Sequence, residues 1–119
     1  MGAFTSVTVV GSNRDATGLK SLIVTAVCPA SYDAGGSAID LSTSTLGVLD
    51  GFTTVYGGHL LKAVHTTPAN SIKYHASVIT GAAGGTPKVV VRDADAGTAM
   101  AQVSGDQSAV TLTLQFFGV

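Results

Sequence analysis

The segment Ala109-Val110-Thr111-Leu112-Thr113-Leu114-Gln115-Phe116-Phe117 decides the fold of this chain. Val110, Leu112, Leu114 and Phe116 alternate with Thr111, Thr113 and Gln115. Successive side chains of a strand point to opposite faces, so this alternation predicts a half-buried β-strand with one apolar side. β-Branched and aromatic residues suit that pleated surface. The segment reads as a central strand whose apolar side seeds the core.

Other segments follow the same rule. Phe4 to Val10 alternates, with Val7 and Val9 opposite Thr8, and Gly11 to Gly18 reads as a polar loop rich in turn residues. Leu19 to Cys28 is apolar on both faces and predicts a strand covered on both sides, which Pro29 ends because it has no N–H for a ladder. Gly35-Gly36 marks a turn before a short strand. Thr43 to Asp50 is the one plausible helical turn, with Ser44 as its candidate cap. Phe52 to Tyr56 predicts a strand, Gly57-Gly58 a break, and Leu60 to Val64 another strand. Ile72, Tyr74, Ala76 and Val78 alternate with Lys73, His75 and Ser77. Lys88 to Arg92 is a strand with Val89 and Val91 inward, and Ala99 to Val103 a short edge strand.

The sum is seven to nine short strands at roughly 10-residue spacing, the pattern of an all-β, antiparallel sandwich or barrel of jelly-roll-like kind. No crossover helix is available for a parallel sheet. No linker or repeat divides residues 1–119, so the expectation is a single domain.

Composition agrees. The chain of 119 residues is long enough to bury a core, and 45% of it is hydrophobic. Only 11% is charged, against the usual quarter, and all seven acids are Asp, a turn former and a poor helix former. No apolar run approaches the roughly 18 to 20 residues that span a bilayer, and no basic-then-apolar leader opens the sequence. The apolar excess therefore predicts burial inside the fold and against partners, as in an oligomer or larger assembly. A net charge of −1 with scattered cations (Arg14, Lys20, Lys62, Lys73, Lys88, Arg92) argues against a nucleic-acid footprint.

The residues capable of chemistry are sparse. His59, His65 and His75 form no close pair of metal-ligand spacing, and no cysteine pair supports them. Cys28, the one cysteine, reads as a small buried hydrophobe. Asp93-x-Asp95-x-Gly97 has the opening of a calcium loop but lacks the bidentate Glu and the flanking helices, so it reads as a turn. Gly81-Ala-Ala-Gly-Gly lacks the Gly-Lys-Ser/Thr ending of a phosphate loop. Asp33, Asp40 and Asp50 sit at turns or strand ends, and no Gly-x-Ser-x-Gly elbow is present. The expectation is a protein without catalysis, metal or cofactor. A glycan-binding sandwich is the alternative from another class, disfavoured by the absence of Trp.

Four stretches taken in order carry a resemblance: Ala30 to Ser42 (with Tyr32-Asp-Ala-Gly-Gly-Ser-Ala-Ile-Asp-Leu-Ser42), Phe52 to Tyr56, Lys88-Val-Val-Val-Arg-Asp93, and Gly105 to Leu114. Together they resemble small virion structural proteins of tailed bacteriophages, of the capsid decoration or cement type. The resemblance covers most residues from 30 onward and rests on structural motifs, not catalytic ones. It implies a β-sandwich or β-barrel that is made in the host cytoplasm and binds the exterior of an assembled capsid. The implied partners are the major capsid protein and further copies of itself, often as a trimer. A tail or head–tail connector component is the alternative within the same class.

A protein of that kind needs extensions that reach its neighbours. Met1, Gly2, Ala3 and Phe4 are the candidate assembly arm, since a short apolar tip can add to a neighbouring sheet edge.

Overall fold

The computed structural model describes residues 3–29, 36–47, 49–66, 74–80, 86–93, 101–102 and 110–119. The strands in chain order are β1 (Thr5–Arg14), β2 (Lys20–Val27), β3 (Ser37–Ala38), β4 (Val55–His65), β5 (Tyr74–Ile79), β6 (Lys88–Asp93), β7 (Ala101–Gln102) and β8 (Val110–Gly118), with one helical turn, α1 (Thr43–Leu46). They form one antiparallel sheet in the order β1-β2-β8-β4-β5-β6-β3, with β7 also paired to β6. The sheet curls into a half-barrel, so of the two expected all-β forms the chain takes the barrel-like one.

The decisive C-terminal segment is β8, and it lies between β2 and β4. Its alternation is realised residue by residue: Val110, Leu112, Leu114 and Phe116 are fully buried, and Thr111, Thr113, Gln115 and Phe117 are half-buried on the other side. In register, Leu114 meets Val24 on β2 and Leu60 on β4, while Phe116 meets Leu22 and Gly58. The interior is completed by Val89 and Val91 of β6, Tyr74 of β5, and Ile39, Leu41 and Phe52 from the connection between β3 and β4.

The two ends of the strand path come together at one point, where the Phe4 N–H donates to the Ala38 carbonyl at 3.0 Å. This bond ties the residue before β1 to the last residue of β3. Phe4 is buried there in the chain's own core.

Four local expectations are corrected. β1 continues through Gly11 to Arg14, because Ser12, Asn13 and Arg14 find ladder partners in Leu22, Ser21 and Lys20. Register shifts interrupt this strand, and Ser6 near the first of them adopts φ +50. The outer face of β2, expected to be covered, is only half-buried at Ile23 and Val27; its inner face (Leu22, Val24, Ala26) takes the core positions. α1 is preceded by Ser42 rather than Ser44, and no side chain caps it. Instead the Ser42 and Thr45 hydroxyls both donate to the Asp40 carboxylate at 2.6 Å, which also accepts the Ser42 N–H at 3.0 Å.

The fourth correction concerns Gly57-Gly58, which does not break β4 but lies inside it. A Cβ added at Gly58 would sit 2.6 Å from the Phe116 ring and 2.8 Å from the Gln115 carbonyl. The glycine is there for close approach to the core aromatic, not for a turn.

Replacing Leu114 by Ala is expected to destabilise the chain by about 2 to 5 kcal/mol, because it removes a fully buried side chain from the centre of the sheet. Gly58→Ala should also lower the midpoint of chemical denaturation. Gly57→Ala, where an added Cβ meets nothing within 4 Å, should leave stability within about 0.5 kcal/mol. Equal effects at the two glycines would contradict the packing.

Candidate functional site

Hydrogen-bond register brings one end of four strands level: Arg14 of β1 faces Lys20 of β2, which faces Gly118 of β8, which faces Val55 of β4. The β1–β2 hairpin is closed at this end by Asp15. Its carboxylate accepts the Thr17 hydroxyl at 2.5 Å, the Thr17 N–H at 2.9 Å and the Leu19 N–H at 3.1 Å. Backbone bonds from Asp15 N–H to the Leu19 carbonyl and from Gly18 N–H to the Asp15 carbonyl complete the turn, with Gly18 at φ +90.

Ser12 pairs with Leu22 and Arg14 with Lys20, so these polar side chains share the side of the sheet that Leu22 lends to the core. There they meet the 49–51 segment, which arrives from α1. The Ser12 hydroxyl donates to the Asp50 carboxylate at 3.0 Å. An Arg14 Nη2 donates to the Leu49 carbonyl at 3.2 Å, and the Lys20 Nζ to the Gly51 carbonyl at 2.6 Å. Gly51 reaches this place by packing on the Thr43 backbone so closely that a Cβ would clash with it.

Between hairpin and segment lies an open cleft of about 300 Å³, with Arg14, Lys20 and Ser12 on one wall, Leu49 and Asp50 on the other, and Leu22 at the core side. Two shallower depressions of about 190 and 170 Å³ border the same hairpin. Exposed apolar side chains toward this end of the sheet are Leu49, 76% exposed, Tyr56, 60%, and Leu19, 40%; Val10, Leu61 and Val64 are exposed elsewhere on it. Ile79, also exposed, lies toward the same end, because the antiparallel pairing of His59 with Ser77 runs β5 back beside Gly57. The cleft thus combines two cations, one carboxylate, hydroxyl groups and exposed aliphatic surface. Such a set offers charge, hydrogen bonding and apolar contact.

The histidines are placed elsewhere. His59 stacks on Phe117 with centroids 5.8 Å apart, His65 stacks nearly parallel on Tyr74 at 6.0 Å, and His75 is exposed on β5. Cys28 is buried, and its N–H donates to the Val110 carbonyl at 2.9 Å. Among the described residues no three His, Cys, Asp or Glu side chains gather as metal ligands, and no helix is long and apolar enough to cross a membrane. Asp33, Asp95 and the Gly81–Gly85 loop lie outside the described residues. Of the expected arm, Met1 and Gly2 also lie outside them, Ala3 is exposed, and Phe4 belongs to the core. Any reach toward a neighbour therefore falls to the residues before Phe4.

Sequence reasoning did not find the cleft. Ser12 and Arg14 read as loop, Lys20 as one of six scattered cations, and Asp50 as an acid at a turn or strand end. Their 31- to 38-residue separation from the 49–51 segment leaves no local signal.

No protein-family model, curated protein or solved structure matches the chain.

The hydrogen bonds at Asp15, the Thr17 hydroxyl first, hold its carboxyl below the ordinary aspartate value of 3.8, and desolvation opposes them only in part. A depressed folded-state pKa means that the stabilisation is present above the ordinary value and is lost as pH falls through the folded one. Amide exchange at Thr17 and Leu19, corrected for intrinsic rates, should therefore lose protection as pH drops below about 3.8. Asp15→Asn should show weaker protection at neutral pH and little further pH dependence. Unchanged protection in the variant would separate the turn from this carboxylate.

Proposed function

We propose that the chain is a non-catalytic structural protein of a tailed-phage virion, which attaches to the exterior of the capsid and reinforces it. Four stretches between Ala30 and Leu114 resemble decoration proteins, and the physical character of the molecule supports the same reading. The observation that carries it is the exposed Leu49 in the lining of an open polar cleft, with Leu19 and Tyr56 exposed toward the same end of a sparsely charged β-sheet. Apolar side chains left exposed next to polar groups suit contact with another macromolecule. The partners in this reading are the major capsid protein and further copies of the chain, with a closed trimer as the symmetric arrangement. Attachment uses this end of the sheet; the residues before Phe4, at the far end of β1, are a separate point of contact with a neighbour.

Reinforcement needs no chemistry. A protein that binds the assembled shell and not its separated subunits stabilises the shell by mass action, by about 2.7 kcal/mol per site at a hundredfold excess over Kd. Only 11% of the residues are charged, which suits a surface largely covered in the particle.

Capsids stripped of the protein should open at a lower temperature, and adding the purified chain in excess should restore the original value. Electron microscopy of the native particle should place its density on the outer shell. Density in the tail or at the connector, or no change in the opening temperature, would overturn the reading.

A further inference from the structure

β1 stands at one end of the strand order, and among the described residues only β2 pairs with it. The Leu19 carbonyl accepts the Asp15 N–H, and the Cys28 N–H donates to Val110 of β8. Backbone groups alternate along a strand, so the odd-numbered residues of β2 face β1 and the even-numbered ones face β8. Register then fixes β1. Thr8 and Asn13, opposite Thr25 and Ser21, face β2. Val9 and Ser12, opposite Val24 and Leu22, turn their N–H and C=O groups to the outer edge. Among the described residues no backbone partner meets them there. Such an edge is a template for a further strand, and Thr8 to Asn13 carries neither charge nor proline to turn one away. The register shift between Val9 and Gly11 leaves Val10 as an extra residue, 63% exposed. Beside it, a Cβ added at Gly11 would meet nothing within 4 Å, and a shallow hollow of about 190 Å³ opens against Gly11, Asn13, Ser21 and Ile23.

We propose that β1 pairs antiparallel with β1 of a second copy of the chain about a twofold axis. In this register Thr8 lies opposite Asn13 of the second copy, Val9 opposite Ser12, and Val10 opposite Gly11. Each pair shares a face, as facing strands require. Thr8 and Asn13 lie on the half-buried side with Thr25 and Ser21, and Val9 and Ser12 on the core side with Val24 and Leu22. The outward groups of Val9 then exchange both backbone bonds with those of Ser12 across the seam. The exposed Val10 of each chain covers the hollow beside Gly11 of the other. The bulge selects a second copy over any regular strand. A regular strand would lose register at Val10, whereas a second β1 brings an extra residue of its own to the same place. Charge sets the direction. Antiparallel pairing puts the two Arg14 side chains at opposite ends of the seam, and parallel pairing would set them side by side. The contact joins chains in pairs, so it is separate from the trimer contact and does not rest on the attachment reading above.

The test is analytical ultracentrifugation of the full chain from about 10 μM to about 1 mM, with residue-resolved amide exchange at both ends of that range. The mass should rise from one chain toward two. Exchange at Val9 and Ser12 should slow about fivefold at the higher concentration, and by more than exchange in β6. Gly11→Val fills the hollow while meeting open space in its own chain, so it should abolish the rise in mass and leave the melting temperature of the dilute protein unchanged. Val10→Lys changes a side chain already exposed and should weaken pairing about tenfold. Gly57→Ala, on β4, should pair as the parent chain does. A chain that stays single at the highest concentration would overturn the proposal. So would a dimer that both β1 variants leave intact, an equal loss in Gly57→Ala, or a dimer in which Val9 and Ser12 exchange as fast as in the single chain. A dimer of the expected kind that does not attach to capsids would count against the attachment reading alone.

Discussion

The burial of one row of β8 side chains governs this structure. Val110, Leu112, Leu114 and Phe116 are removed from water completely; the last three are each flanked in register by residues of β2 and β4, and Val110 by His65 of β4. Burial of such side chains is worth roughly 1.5 to 3 kcal/mol apiece, far more than a net backbone hydrogen bond contributes. A slip of one residue would turn the whole row to the outside and bring Thr111, Thr113 and Gln115 into the core. The register of the three central strands is therefore set by this row. Gly58 is part of the same constraint, since the Phe116 ring occupies the space a side chain would need.

From that centre the sheet curls until its two ends touch at Phe4 and Ala38. The connection between β3 and β4 then delivers Ile39, Leu41 and Phe52 to the core. Its last part emerges at one end of the sheet, where Val119 accepts the N–H groups of Thr53 and Thr54 and the Thr53 hydroxyl. The same connection carries residues 49–51 over the β1–β2 hairpin. The cleft is a by-product of this route: a strand pair whose inner face runs out of apolar residues after Leu22, covered by a segment that offers carbonyl oxygens and one carboxylate.

This arrangement separates two roles. The core is built from aliphatic and aromatic residues, with Ser37 the buried polar residue among those described. Polar side chains with directional contacts gather at the hairpin end, where Arg14, Lys20, Asp15 and Asp50 supply four of the chain's few charges. In the proposed function the hairpin end is the contact surface and the sheet is its support. Sites carried on strand ends are held more firmly than sites on long loops, because the ladder fixes the backbone.

The alternation of Val110 to Phe116 by itself determined the central strand and its buried face, because a period of two leaves one way to bury those four residues. The same rule determined Val89 and Val91 as inward, and Tyr74, Ala76 and Val78 as the core-facing side of β5. It could not tell that Gly57-Gly58 continues a strand, since a glycine reads as a break until the Phe116 ring beside Gly58 is known. Nor could it extend β1 to Arg14, because polar residues in a ladder look like loop when their partners lie across a turn. Only the tertiary structure decided which end of the sheet carries the cleft. Ser12, Arg14 and Lys20 meet Asp50 and its neighbours through a chain path of more than 30 residues, and pairings over that distance come from how the sheet curls, not from any local pattern.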